Sequence, residues 1–258
     1  MSKNRAALVV AFALTLGVAH GETNSAARLR AFAKLPDWSG IWENDQNASQ
    51  GTANAPKGYA DRKLLALAQI PPYVASWLTK VDAQIKADPS RQTTTKKCLF
   101  GFPADMDGPW VFELWAEPQE TLVLFHGDDV RHIYTDGRAH PSADDLWPTP
   151  IGDSIGHWDG DTLVVDTVGR RDEPDDAVFL NPLYTVSSQF HVIEHIRMID
   201  HDHIQNVMTL EDPVAFAHPW TVTLAYKRVK DLDRMLWESC TDQDHNPIVN
   251  GALTFSPP

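Results

Sequence analysis

Cysteine is scarce in this chain. Its 258 residues hold two, Cys98 and Cys240, too few for a disulfide-stapled miniature scaffold or a multi-cysteine zinc site. Basic residues are also short. Twenty-two Lys and Arg stand against 35 Asp and Glu, for a net charge of −13 at pH 7. Such a chain lacks the basic patch that nucleic acid or an anionic lipid surface requires. No apolar run reaches the ~20 residues of a membrane span. The common hydrolase and nucleotide motifs are missing too: there is no His-Glu-x-x-His, phosphate loop, Gly-x-Ser-x-Gly elbow or Gly-x-Gly-x-x-Gly turn. There is no internal repeat and no low-complexity tract.

What is present begins with a secretory signal. Met1-Ser2-Lys3-Asn4-Arg5 is a short basic start, Ala6 to about Val18 is apolar, and Ala19-His20-Gly21 places small residues where a signal peptidase cuts. The alternative is an uncleaved N-terminal anchor. Residues 1–21 are therefore expected to be a signal peptide, and the protein to work in the periplasm or outside the cell. Without Lys3 and Arg5 the net charge is about −15, which suits a monomer or weak homo-oligomer without stable membrane insertion. Export favours oxidation, so Cys98 and Cys240 are expected to be joined, the alternative being two buried thiols.

Turn signals organise the rest. Residues 22–97 are expected to hold a first strand at Asp37 to Trp42 and two helices, Ala60 to Gln69 and Val74 to Ala87. The second carries Val74, Leu78, Val81 and Ile85 at helical spacing. Residues 98–258 read as short strands broken by turns, with Asp136-Gly137 and Asp159-Gly160 as the strongest turn dipeptides. The expected strands are Val111 to Trp115, Thr121 to His126, Val130 to Thr135, Gly152 to Trp158, Thr162 to Val168, Ser187 to Asp200, His203 to Glu211, Trp220 to Val229 and Met235 to Cys240. The fold expected is mostly β: a lipocalin-like antiparallel barrel, forming a single domain with the helical segment before it.

Several blocks occur in order along the chain. They include Asp37-Trp38-Ser39-Gly40-Ile41-Trp42, Arg131-His132-Ile133-Tyr134-Thr135-Asp136-Gly137-Arg138-Ala139-His140-Pro141, and Ser154-Ile155-Gly156-His157-Trp158-Asp159-Gly160-Asp161-Thr162-Leu163-Val164-Val165-Asp166-Thr167. Glu211-Asp212-Pro213 and Pro219-Trp220 follow. In these blocks the chain resembles a widespread group of secreted bacterial proteins of unassigned function. The resemblance implies a shared fold and names no substrate. More weakly, Ser39-Gly40-Ile41-Trp42 is reminiscent of the first-strand Gly-x-Trp of lipocalins, where the Trp plugs the closed end.

The strand after Phe190 carries the sharpest chemical signal. Phe190, Val192, Glu194, Ile196 and Met198 share one face, which should point inward. An unpaired acid there would have a raised pKa and suit proton transfer. Clamped by Arg131 or Arg138, it would instead be a structural bridge. His126, ending the face of Leu122 and Leu124, and His140, after the Asp136-Gly137 turn, are the other expected catalytic residues. Arg131, Tyr134, Asp136, Arg138, Trp158, His191 and Arg197 are the expected ligand-binding residues. Nine tryptophans fit a pocket for a flat or apolar ligand. Asp200-His201-Asp202-His203 reads as a solvated hairpin tip, so neither an obligatory metal nor a cofactor is expected.

Three functions compete on this reading. The first is an acid–base lyase, isomerase or hydrolase acting on a small hydrophobic or aromatic molecule. The second is a non-catalytic periplasmic carrier of lipocalin type. The third is a structural domain whose barrel is filled by its own side chains.

Overall fold

The structure is a computed structural model that describes residues 19–45, 48–49, 71–87, 101–107, 111–125, 130–172, 185–235, 248–249 and 252–253. The apolar core of the expected signal peptide, Cys98, Cys240, His126, the expected helix at Ala60 to Gln69 and the expected strand after Met235 lie outside the described residues. Helix α1 (Ala19–Phe32) belongs to a separate unit ending at Leu35.

The rest is mostly β. Strands β1 (Gly40–Asn44), β2 (Val111–Ala116), β3 (Glu120–Phe125), β4 (Val130–Tyr134), β5 (Asp153–Asp159), β6 (Thr162–Val168), β7 (His191–Asp200), β8 (His203–Glu211) and β9 (Trp220–Arg228) follow one another around a closed barrel. β1 closes it on β9, with Trp42 opposite Arg228 and Asn44 opposite Tyr226. The lipocalin-like barrel expected from turn spacing is thus formed, and closure leaves it no free sheet edge. One seam departs from the antiparallel pattern. β4 and β5 run parallel, pairing Ile133 with Ser154 and Tyr134 with Ile155. A parallel pair cannot be joined by a tight hairpin, so the chain between Tyr134 and Asp153 crosses over as a long connection.

Local sequence explains the β5–β6 turn. β5 and β6 meet at Asp159-Gly160-Asp161-Thr162, where Gly160 takes φ 63°, the left-handed region favoured by glycine. Gly40 is constrained twice. Its φ is 135°, and Arg228 Nη1 lies 2.5 Å from where a Cβ would stand. That close approach lets Arg228 cover the fully buried Trp42 at 4.2 Å while it donates to the carbonyls of Ser39 (2.6 Å), Asp37 (3.1 Å) and His201 (3.0 Å).

Helix α2 (Ala75–Ala87) packs through a residue outside the expected stripe. Leu78 is 42 % exposed, whereas Trp77 is buried and donates from Nε1 to the Thr185 carbonyl at 3.1 Å. Tyr73, just before α2, rests on Phe216, and Phe216 in turn meets Phe190 and Trp220 edge-on. The short helix α3 (Ala104–Asp107) and the residues before it bury Phe102 and Met106 in the core. The strands Ile248–Val249 and Ala252–Leu253 pair with each other as a two-stranded ribbon.

Candidate functional site

Glu194 points inward from β7 and is fully buried. Of the two alternatives open from sequence, the paired one is realised, and the partner is Arg131 on β4. Arg131 Nη2 donates to Glu194 Oε2, and Nη1 donates to Oε1 at 3.3 Å. Arg131 also donates from Nε to Ser154 Oγ (3.1 Å), from Nη2 to Thr167 Oγ1 (2.9 Å) and from Nη1 to Met106 Sδ (3.6 Å). The five N–H groups of a guanidinium are then all engaged. The Phe102 ring closes over it at 3.6 Å. Asn206 Nδ2 donates to Glu194 Oε1 at 2.8 Å. Burial, with the Glu194 carboxylate adding to it, holds the Tyr226 phenol well above its ordinary pKa.

This arrangement takes Arg131 out of the expected ligand-binding set and decides between the alternatives for Glu194. Arg131 has no donor left for a ligand, and Glu194 is not an unpaired acid. Among the described residues the space beside them is small. The interior cavity lined by Trp38, Phe112, Thr121, Val123, Ile133 and Tyr226, among others, measures about 10 Å³, roughly the space of one water. Among the described residues the barrel is filled by side chains.

The second half of the expected site lies on the outside. Residues of β6 alternate, with Leu163, Val165 and Thr167 buried and Val164, Asp166 and Val168 on the opposite face. On that outer face Asp166 joins two histidines. Its Oδ1 lies 2.7 Å from His191 Nε2 and 3.4 Å from His140 Nε2. His140 Nδ1 is 2.5 Å from Asp153 Oδ1, and His191 Nδ1 faces Glu211 Oε2 at 3.4 Å. The result is an alternating chain, Asp153–His140–Asp166–His191–Glu211. Its members come from the β4–β5 connection and from β5, β6, β7 and β8. All five are partly accessible: His140 is 18 % exposed and Asp166 is 46 % exposed. Asp166 also stands between two half-buried isoleucines, paired across the strands with Ile155 on one side and Ile193 on the other.

The connection carrying His140 is pinned to the barrel. Thr149 N–H donates to the Gly169 carbonyl at 3.1 Å, and Arg171 N–H donates to the Thr149 carbonyl at 2.8 Å. Leu146 packs where a side chain on Gly169 would stand, 2.9 Å from that point.

The remaining expected residues fall elsewhere. Arg138 is held by both oxygens of Asp136, at 3.0 Å and 2.6 Å, and lies 3.8 Å over the Tyr134 ring. Asp136, Arg138 and Tyr134 thus satisfy one another on the outer surface, with His132 stacked on Tyr134. Trp158 packs edge-on against the buried Trp38 at 5.0 Å, a core contact. Arg197 is exposed on the outer face of β7, opposite Gln205. Leu122 and Leu124 point outward, while Thr121, Val123 and Phe125 are buried. The face His126 was expected to end is therefore the outer one.

Sequence reasoning missed Asp153, Asp166 and Glu211. A signal existed for one of them: Asp166 is a lone acid inside the strand Leu163-Val164-Val165-Asp166-Thr167, where β-propensity alone would not place it. Compared with known proteins, the chain matches no family model and no curated protein.

Proposed function

We propose that the protein is an exported acid–base enzyme whose reacting groups lie on the outer face of the barrel, at His140, Asp166 and His191. The observation that carries this reading is the convergence of both Nε2 atoms on one Asp166 oxygen. An imidazole backed by a carboxylate is held in one orientation, and its cationic form is stabilised when it takes a proton. Two such rings sharing a carboxylate can take a proton at one end and supply it at the other. Ile155 and Ile193 flank Asp166, which supports a substrate with a small apolar or aromatic part beside its reacting proton. The filled interior supports this outer site over a carrier that encloses its ligand.

The test is base-catalysed ring opening of 5-nitrobenzisoxazole, a flat apolar probe. Its C3 proton passes to the base and the N–O bond breaks to give a cyanophenolate. The purified protein is expected to exceed His140→Gln, His191→Gln and Asp166→Asn by at least about tenfold, below the usual worth of a positioned general base. Turnover in His140→Gln equal to that of the native protein would overturn the reading.

A further inference from the structure

His140 and His191 are held in opposite senses in this outer network. His191 is bonded through Nε2, at 2.7 Å to Asp166, and its Nδ1 stands 3.4 Å from Glu211. His140 is bonded through Nδ1, at 2.5 Å to Asp153, and its Nε2 stands 3.4 Å from Asp166. A distance of 2.5 Å is short for a hydrogen bond, and 3.4 Å is beyond the usual range. An ionised carboxylate only accepts, so the proton of the short contact sits on His140 Nδ1. In the neutral ring Nε2 then carries the lone pair.

From this asymmetry we infer that Asp153 is a positioning residue: it fixes His140 with Nδ1 protonated and leaves Nε2 as the proton-accepting atom. The inference rests on the acid–base reading of the outer site and assigns the roles within it. Asp153 is suited to the task by its place in the fold. It is the first residue of β5, opposite Val168 in register. Gly152 before it takes φ 73°, and Thr149 Oγ1 donates to the Gly152 carbonyl at 3.2 Å. The carboxylate is therefore carried on a fixed strand end while the ring comes from the pinned connection. Asp166 is the weaker partner of His140: its Oδ1 stands 3.4 Å from His140 Nε2 but 2.7 Å from His191 Nε2. In the reacting step a substrate proton leaves its carbon or oxygen and bonds to His140 Nε2. The electron pair stays on the substrate or expels its leaving group. Asp153 remains a carboxylate, and the imidazolium lies between it and Asp166.

Two readouts test the assignment in the full chain. The first is the ¹⁵N NMR signature of the His140 ring, which distinguishes a protonated Nδ1 from a protonated Nε2. The second is turnover of 5-nitrobenzisoxazole, with thermal melting checked on every variant. In the native protein the neutral ring is expected to be protonated at Nδ1. In Asp153→Asn, whose amide can donate to Nδ1 as well as accept from it, the neutral ring should become a tautomer mixture and turnover should fall about a hundredfold. Asp153→Glu should restore the Nδ1–H form and part of the turnover. An unchanged tautomer and unchanged rate in Asp153→Asn would overturn the inference even if His140→Gln is inactive. Retained turnover in His140→Gln would instead overturn the acid–base reading itself.

Discussion

Arg131 and Glu194 lie 63 positions apart in sequence and meet as an ion pair inside the barrel, with exposures of 1 % and 0 %. Each is unaffordable without the other, since an isolated buried charge costs several kcal/mol. Arg131→Met is expected to destabilise the protein by about 3–5 kcal/mol, because it strands the Glu194 carboxylate. Adding Glu194→Leu to that variant should recover a large part of the loss. Urea denaturation of the two variants measures both effects, and a double variant no more stable than the single one would argue against the ion-pair account.

Asp212 is the corresponding anchor outside the barrel interior. It is buried and accepts from Ser187 N–H (2.6 Å), Ser187 Oγ (2.8 Å), Val214 N–H (3.0 Å) and Ala215 N–H (2.9 Å). These bonds fold the β8–β9 turn back onto the segment before β7, beneath α2. Asp212→Ala leaves buried donors without an acceptor and should cost about 3 kcal/mol, the upper range for hydrogen bonds to a charged group. Asp212→Asn keeps one carbonyl oxygen and should cost less. Chemical denaturation of both variants gives the comparison.

At the tip of the β7–β8 hairpin, Lys230 and then His201 hydrogen-bond Asp202 and lower its pKa from 3.8 to about 2. A carboxylate with a folded pKa below its unfolded value stabilises the fold above the unfolded value. That contribution is complete above about pH 5 and is lost progressively as the pH falls through 3.8 towards 2. Carboxyl ¹³C titration should place the Asp202 midpoint near 2, and Lys230→Met should move it up. A native midpoint at the ordinary value would contradict the pairing.

What the sequence reveals follows the range of the interaction involved. The Asp159-Gly160 hairpin is local chemistry and stands where the dipeptide places it. The inward face of β7 is also local: Phe190, Val192, Glu194 and Ile196 are buried and Met198 is partly so. β3 misleads because Thr121-Leu122-Val123-Leu124-Phe125 is apolar on both faces. Alternation then gives no direction, and the single polar residue, Thr121, is the one turned inward. Arg131 is named from the sequence both as a ligand-binding residue and as one of two possible clamps for Glu194; which role it takes is decided by a partner 63 residues away. The outer chain of acids and histidines needs β5, β6, β7 and β8 in register plus a crossover loop. Its parts are visible in the sequence, but their meeting is not.

The filled interior makes a last prediction, directed at the carrier reading. Enclosed sites for drug-sized molecules run from about 300 Å³ upward, whereas the cavity beside Phe112 and Tyr226 is about 10 Å³. Benzene or indole should therefore leave the melting temperature of the native protein unchanged. Phe112→Ala removes a ring that packs edge-on against Tyr226 at 5.0 Å and borders that same cavity. Most of the new wall is apolar: Leu114, Val123, Ile133, Leu163, Ile196 and Ile204. Such a cavity stays dry and takes small apolar ligands. The substitution should cost about 3–5 kcal/mol, and benzene should recover part of it by binding the folded state alone. Thermal denaturation with and without benzene reads both proteins. A rise in the melting temperature of the native chain would mean that its interior already admits a ligand, and the carrier function would return as the better reading.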